Sequence, residues 1–363
     1  MRASTFTSNK KHLPAAKKRY WRVATEWFCK LWGSTKRSPS RSYRVKFQTY
    51  TNESLNWVQI VFRLQGTVIP VIMPWVILCC GYGFLISLAY ELKLPVPLPF
   101  TQVSKVLPNV VVSFNIILSL LLVFRTNTAH ERFWEGRKLW GALVNTVRNL
   151  ARDIWIFIEE QEPCDRVEKE STLRLVVAFA VAMKLHLRRE AVNEELESVM
   201  SPLRYGKLKS VNHAPLEIAF WIGDYLQHQY NRSCVNIYQL TALQKLVDDL
   251  VDILGGCERI LKTPLPLAYA IKLRQLLMIY CLVLPFELVG GLGWWTGPIL
   301  GFISLILLGI EELGAEIEEP FGHDPNDLPL DVICNTMLKN VEDLIRTAPC
   351  ARLEELRIGR MNQ

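Results

Sequence analysis

The chain has 363 residues, of which 50% are hydrophobic and 21% charged, with nine cysteines and a formal net charge of +7. A mean hydropathy of +0.14 excludes a disordered chain, and scattered cysteines without CxxC spacing exclude a disulfide scaffold. Residues 1–45 carry twelve Lys/Arg against one acid, Glu26, and leave 30 basic and 34 acidic residues for the rest. The basicity therefore belongs to a tail, and no nucleic-acid partner is expected.

In chain order, that tail comes first. It is rich in Arg, Lys and Ser and nearly free of acids, so it reads equally as an organellar transit peptide or as an arm lying on anionic lipid. Gly66 to Tyr90 follows, 25 residues without a charge. About 20 apolar residues at 1.5 Å each cross a bilayer core of roughly 30 Å, so this run predicts a membrane helix. Pro70 and Pro74 predict a kink or an interruption. Val106 to Phe124 is a second charge-free run, and its Ser113, Asn115 and Ser119 should face other helices or water.

No breaker separates that run from Arg125-Thr-Asn-Thr-Ala-His-Glu-Arg132-Phe133-Trp134-Glu-Gly-Arg137-Lys138-Leu-Trp140-Gly141. A membrane helix thus continues into a basic, aromatic-rich one, which either lines a watery route for anions or sits among lipid phosphates. The stretch Arg125 to Arg274 is mostly polar, and its one apolar burst, Val176 to Met183, belongs in a helical core. Phe133, Trp140, Val144, Val147, Ala151 and Trp155 recur mostly at helical steps, as do Leu240, Leu243, Leu246, Val247, Leu250 and Leu254. Pro202 to Pro215 and Thr263 to Leu267 read as breaks. Leu276 to Ile310 is too long for one straight pass, and its Gly/Pro-rich middle, Gly290 to Pro298, predicts a turn between two short ones. Two crossings on either side of the polar stretch put it and both termini on one side, the cytoplasm or stroma by the positive-inside rule.

The motifs of the second run and beyond resemble those of the bestrophin family, in its bacterial and chloroplast branch, which includes thylakoid voltage-dependent chloride channels. The resemblance rests on the Arg125–Gly141 stretch, Gly255-Gly256-Cys257-Glu258-Arg259, Thr263-Pro264-Leu265-Pro266, Glu318-Glu319-Pro320-Phe321-Gly322 and Pro325-Asn326-Asp327-Leu328-Pro329-Leu330. It covers about residues 43–345 and leaves the basic tail outside. It implies an all-α membrane protein: a homopentamer whose subunits have four transmembrane helices and a helical cytoplasmic or stromal domain. The expected spans are about 66–90, 106–124, 276–290 and 296–310, with residues 1–45 as the tail and 46–363 as the channel domain.

It also implies an axial pore with an apolar neck on the second membrane helix. Family neck positions lie sixteen, twelve and eight residues before the arginine matching Arg132, at Ile116, Leu120 and Phe124. These share one helical stripe, which without the family would more often face lipid or packing partners. Arg125 and Arg132 are candidates for attracting anions at the neck's inner mouth, with pairing to an acid such as Glu131 or Glu135, or to lipid phosphate, as the alternative. The family's second constriction, counted back sixteen positions from Cys257, falls on Thr241, or slips to Leu240 or Leu243. The loop that holds calcium in animal members keeps only Asp324 and Asp327, so no metal and no cofactor is expected. Asp327 serves equally as a helix cap.

Glu311, Glu312, Glu316 and Glu319 share helical spacing but lack the Glu-x-x-His pairing of a carboxylate metal site. Glu287, inside the third crossing, is either a functional carboxylate or bonded to a neighbouring helix. No HExxH, P-loop or GxSxG motif is present, and no enzyme is expected. The expected function is passive flux of chloride and other monovalent anions, with membrane lipid and further copies of the chain as partners. A secondary transporter and a non-conducting scaffold are the alternatives. The host is a thylakoid or other chloroplast membrane, or a bacterial plasma membrane.

Overall fold

In a computed structural model of the chain, residues 67–93, 107–324 and 326–361 are described. The basic tail and Gly66 and Val106 at the edges of the first two runs lie outside them, as does Pro325. All regular structure among the described residues is helical: α1 (Ile69–Glu91), α2 (Leu107–Phe157), α3 (Asp165–Arg188), α4 (Glu194–Glu197), α5 (Pro202–Leu208), α6 (Ala214–Asn231), α7 (Ile237–Lys262), α8 (Leu267–Leu292), a 3-10 turn (Gly293–Trp295), α9 (Thr296–Ile317) and α10 (Leu330–Met361). Among the described residues three stretches are long and apolar enough to cross a membrane: Ile69–Glu91, Asn109–Phe157 and Leu267–Ile317. The third holds α8 and α9 with the 3-10 turn between them, where Gly293 takes φ +51°, a backbone region that L side chains rarely adopt.

Several of the prolines that read as breaks begin helices instead. Pro202 and Pro215 each sit in the first turn, of α5 and α6, where no backbone N–H is needed. The break predicted over 202–215 narrows to the few residues between those helices. Pro70 likewise stands in the first turn of α1, and α1 runs on through Pro74 without interruption. The TPLPL stretch does separate α7 from α8.

The chain divides into two compact units: the described residues up to 118 with 275–312, and residues 119–274 with those from 313 onward. The first is held by small residues at close range. A Cβ on Gly83 would lie 2.8 Å from the Cα of Gly297, one on Gly297 would meet the Phe84 ring, and one on Gly301 would lie 3.2 Å from Cys80 Cβ. Paired positions fall along α1 as they rise along α9, so the two helices run antiparallel, with Gly297 and Gly301 four apart as in small-xxx-small packing. The Ser87 hydroxyl lies 2.9 Å from the carbonyls of both Gly83 and Gly293. Tyr82 donates to the carbonyl of Leu282, Asn115 bonds the Tyr280 hydroxyl, and Phe114 stacks on Tyr280 at 6.3 Å. Asn115 thus meets a neighbouring helix as expected, while Ser113 turns back to its own helix at Asn109.

In the second unit α3 is the central rod. Leu173, Leu175 through Met183 and Leu185 are all buried, so the Val176–Met183 burst lies in a helical core as expected. A helix apolar on all sides needs neighbours on all sides, and α6, α7 and α10 pack against it. Trp140, Leu143, Val147, Leu150 and Ile154 of α2 join the same core. One end is fastened by charge. Asp331 accepts from Arg188 at 2.9 Å and from Lys184 at 3.0 Å, and Lys184 also pairs with Glu195. Burial opposes ionisation of Asp331, but the two cations prevail and hold its pKa at about 2.

Two glycines of α1 separate packing from propensity. Gly83→Ala should destabilise the protein by about 1–3 kcal/mol, because its methyl meets backbone. Gly81→Ala, with nothing within 4 Å of its Cβ, should be neutral or stabilising. Thermal melting in detergent reads the difference.

Candidate functional site

Helix α2 runs unbroken for 51 residues from the second apolar run into the basic stretch, as the missing breaker predicted. Its packed face is Val111, Leu118, Leu122, Arg125 and Ala129, all buried. At 100° per residue, Ile116, Leu120 and Phe124 centre about 170° away from that face. They are 65%, 54% and 56% exposed in the single subunit. The stripe lies at the centre of a broader exposed face of α2 that also holds Val112, Ile117 and Val123.

Two guanidiniums fix that rotation from the inner end. Arg125 is only 3% exposed and pairs with Glu318 at 2.9 Å. Its stem lies against Gly314, whose absent Cβ would stand 3.3 Å from Arg125 Cγ. Arg125 Nε and Nη1 have no hydrogen-bond partner among the described residues. Arg132 donates to the carbonyls of Ile260 at 2.6 Å, of Thr263, and of Glu318 at 3.3 Å. These carbonyls end α7 and α9, where helices leave oxygens unsatisfied and the dipole favours a cation. The other carboxylate oxygen of Glu318 accepts from the backbone N–H of Leu265 at 2.9 Å. The Arg125 stretch, the TPLP motif and the Glu-Glu-Pro motif thus meet around one residue.

A family model described as Bacterial/Fungal Bestrophin protein matches residues 49–343. The chain belongs to the bestrophin family. It is 57% identical over 301 residues to a protein of Nostoc sp. (strain PCC 7120) named a voltage-dependent anion channel-forming protein, covering 83% of this chain and 95% of that one. It is 50% identical over 315 residues to a like-named protein of Synechocystis sp. (strain PCC 6803), covering 86% and 95%. Its fold is similar to the crystal structure of a mutated bacterial bestrophin homologue from Klebsiella pneumoniae, with a TM-score of 0.66, 26% identity and coverage of 76% and 99%. This bestrophin is an integral membrane protein.

The remaining expected positions of this bestrophin lie as follows. Thr241 is exposed on α7, its hydroxyl donating to the carbonyl of Ile237 at 2.8 Å, whereas Leu240 and Leu243 are buried in the core. Of the three positions weighed for a second constriction, only Thr241 is free to face an opening. Asp327 Oδ2 accepts from the backbone N–H of Asp324 at 2.7 Å, inside the loop before α10. A Cβ on Gly322 would stand 2.6 Å from that same oxygen, so the loop needs glycine there. Glu316 accepts from the side chain of Asn326 at 2.9 Å, and Glu311 is buried. Glu287 Oε2 is buried without a hydrogen-bond partner among the described residues.

Glu131 and Glu135, the nearby acids expected as alternatives, pair with neither arginine: Arg125 pairs with Glu318, 193 positions on, and Arg132 donates to backbone carbonyls. Glu135 pairs with Arg259 instead. Only the shared motif residues hinted at this, since both stretches were among those that marked the family. Glu318→Ala leaves Arg125 buried and unneutralised, and should cost about 3–5 kcal/mol. Glu318→Gln, which keeps an acceptor, should cost less. Melting temperatures of the two variants check the order.

Proposed function

We propose that this bestrophin is an anion channel, a homopentamer of four-crossing subunits in which five copies of α2 surround one pore. The observation that carries the reading is the apolar stripe Ile116, Leu120 and Phe124, left unpacked on the face of α2 opposite its buried side. The names of the cyanobacterial relatives, voltage-dependent anion channel-forming proteins, agree with it. The 3-10 turn at Gly293–Trp295 supports counting α8 and α9 as two passes.

A narrow ring of Ile, Leu and Phe excludes water and gates by dewetting. Large, weakly hydrated anions lose less on entering it than small cations do, and the positive edges of the Phe124 rings favour them. Arg125 and Arg132 divide the inner-mouth role unequally. The Arg125 charge is offset by Glu318, so it anchors the helix, while Arg132 meets only carbonyl oxygens and keeps its net positive field. Exposed Arg137 and Lys138 one turn further extend that field into water. Thr241 lines a second, wider aperture. The host membrane is a thylakoid or bacterial plasma membrane, as cyanobacterial relatives suit.

Purified protein in a planar bilayer under a chloride gradient should give unitary currents that reverse near the chloride equilibrium potential. Substrate uptake into liposomes without unitary steps would mark a transporter, and no flux at all a scaffold. Ile116→Ala, Leu120→Ala and Phe124→Ala together should raise conductance or abolish gating. A triple variant conducting like its parent would refute the neck.

A further inference from the structure

Away from the apolar stripe, three side chains from separate elements converge on one point. His186 ends α3, His213 precedes α6, and Glu258 lies on α7. The Nε2 atoms of both imidazoles lie 2.8 Å from the same Glu258 oxygen, Oε1. The rings face each other with centroids 4.5 Å apart, and the three ligand atoms lie within 4.8 Å of one another. All three residues are half-buried, so the cluster is neither sealed in the core nor a loose surface group. His186 also lines an open cavity of about 500 Å³ with Glu190, Val192, Leu196, Leu208 and Asn212.

We propose that His186, His213 and Glu258 form a binding site for a divalent transition-metal ion, with Zn²⁺ the best fit. Two imidazoles and one carboxylate, with a fourth position open to water, are a recurring zinc ligand set. Calcium and magnesium are poorly served, because they require six or more oxygens, or an octahedron of them. A tetrahedral ion with ligands about 2.0–2.1 Å away separates neighbouring ligand atoms by roughly 3.3 Å. The present 2.8 Å contacts are hydrogen bonds, so about half an ångström of retreat by each ring admits the ion.

The protons balance without changing the charge of either ring. Each Nε2 now donates its hydrogen to Glu258; on ligation that proton moves to Nδ1, and the freed lone pair at Nε2 binds the metal. At His213 this displaces the backbone N–H of Leu216, which reaches Nδ1 at 3.3 Å. That long contact is the weakest in the cluster. Glu258 supplies the anionic ligand through Oε1, the oxygen on which both imidazoles converge. Lys262 reaches the second oxygen, Oε2, at 2.5 Å and is itself exposed, so its charge tempers the affinity for a cation.

The test uses the full chain, untagged, stripped with a chelator and titrated with ZnCl₂ by calorimetry, with thermal melting alongside. The parent should bind one Zn²⁺ per chain and melt at a higher temperature with zinc, whereas Ca²⁺ and Mg²⁺ should do neither. His186→Ala and His213→Asn each remove a direct ligand, so each should weaken zinc binding by at least the roughly 100-fold that loss of an outer-shell partner can cost and lose the zinc-dependent rise in melting temperature. Asn at 213 retains a helix-capping side chain, so that variant carries the test if His186→Ala fails to fold. Lys262→Gln should tighten binding. A parent that binds no zinc, or variants that bind it as the parent does, through cysteines for example, would overturn the site. Conductance plays no part in these readouts, so the outcome is independent of the channel reading.

Discussion

The carboxylate of Glu318 accepts from the guanidinium of Arg125 on one oxygen and from the N–H of Leu265 on the other, while its carbonyl accepts from Arg132. A buried guanidinium cannot stay without an anion. That requirement fixes which face of α2 turns inward, and the end of α9 and the turn before α8 close around it. Once Arg125, Leu122 and Leu118 are held inward, helical periodicity leaves Ile116, Leu120 and Phe124 facing out. The ion pair thereby orients the face of α2 that carries Leu120 and Phe124, both within about one and a half turns of Arg125.

The two units use different forces, as their surroundings demand. Where the helices are apolar on every side, contact between them gains little from the hydrophobic effect, and close backbone approach with buried hydroxyl bonds takes its place. Gly83 against Gly297 and Ser87 against two carbonyls are of that kind. The helical unit instead surrounds an apolar rod, α3, and fastens its rim with Lys184, Arg188 and Asp331. Lys184 is buried only because two carboxylates neutralise it.

Much of this could be read in the residues. Charge-free length marked the membrane runs, the missing breaker after Phe124 predicted the long α2, and Gly290 to Pro298 predicted the turn. The family's motifs supplied the proposed neck positions, which stripe geometry alone could not distinguish from a lipid face. Proline was misread where position matters more than identity, because Pro202 and Pro215 start helices. Three features were beyond local patterns: the partnership of Arg125 with Glu318, the clasp of Arg132 on two helix ends, and the meeting of His186 with His213 and Glu258. Each joins residues far apart in sequence, and charge alone does not say which acid a given arginine will find. The Gly297/Gly301 spacing is a legible packing motif, but it does not say that α1 is the helix that packs there.

The most direct measurement is a structure of the assembled particle in lipid nanodiscs by electron cryo-microscopy. Five subunits should appear, with the Leu120 side chains of all five converging on a common axis and continuous solvent density above and below them. Single protomers, or an assembly in which Leu120 lies against lipid at the outer rim, would contradict the account.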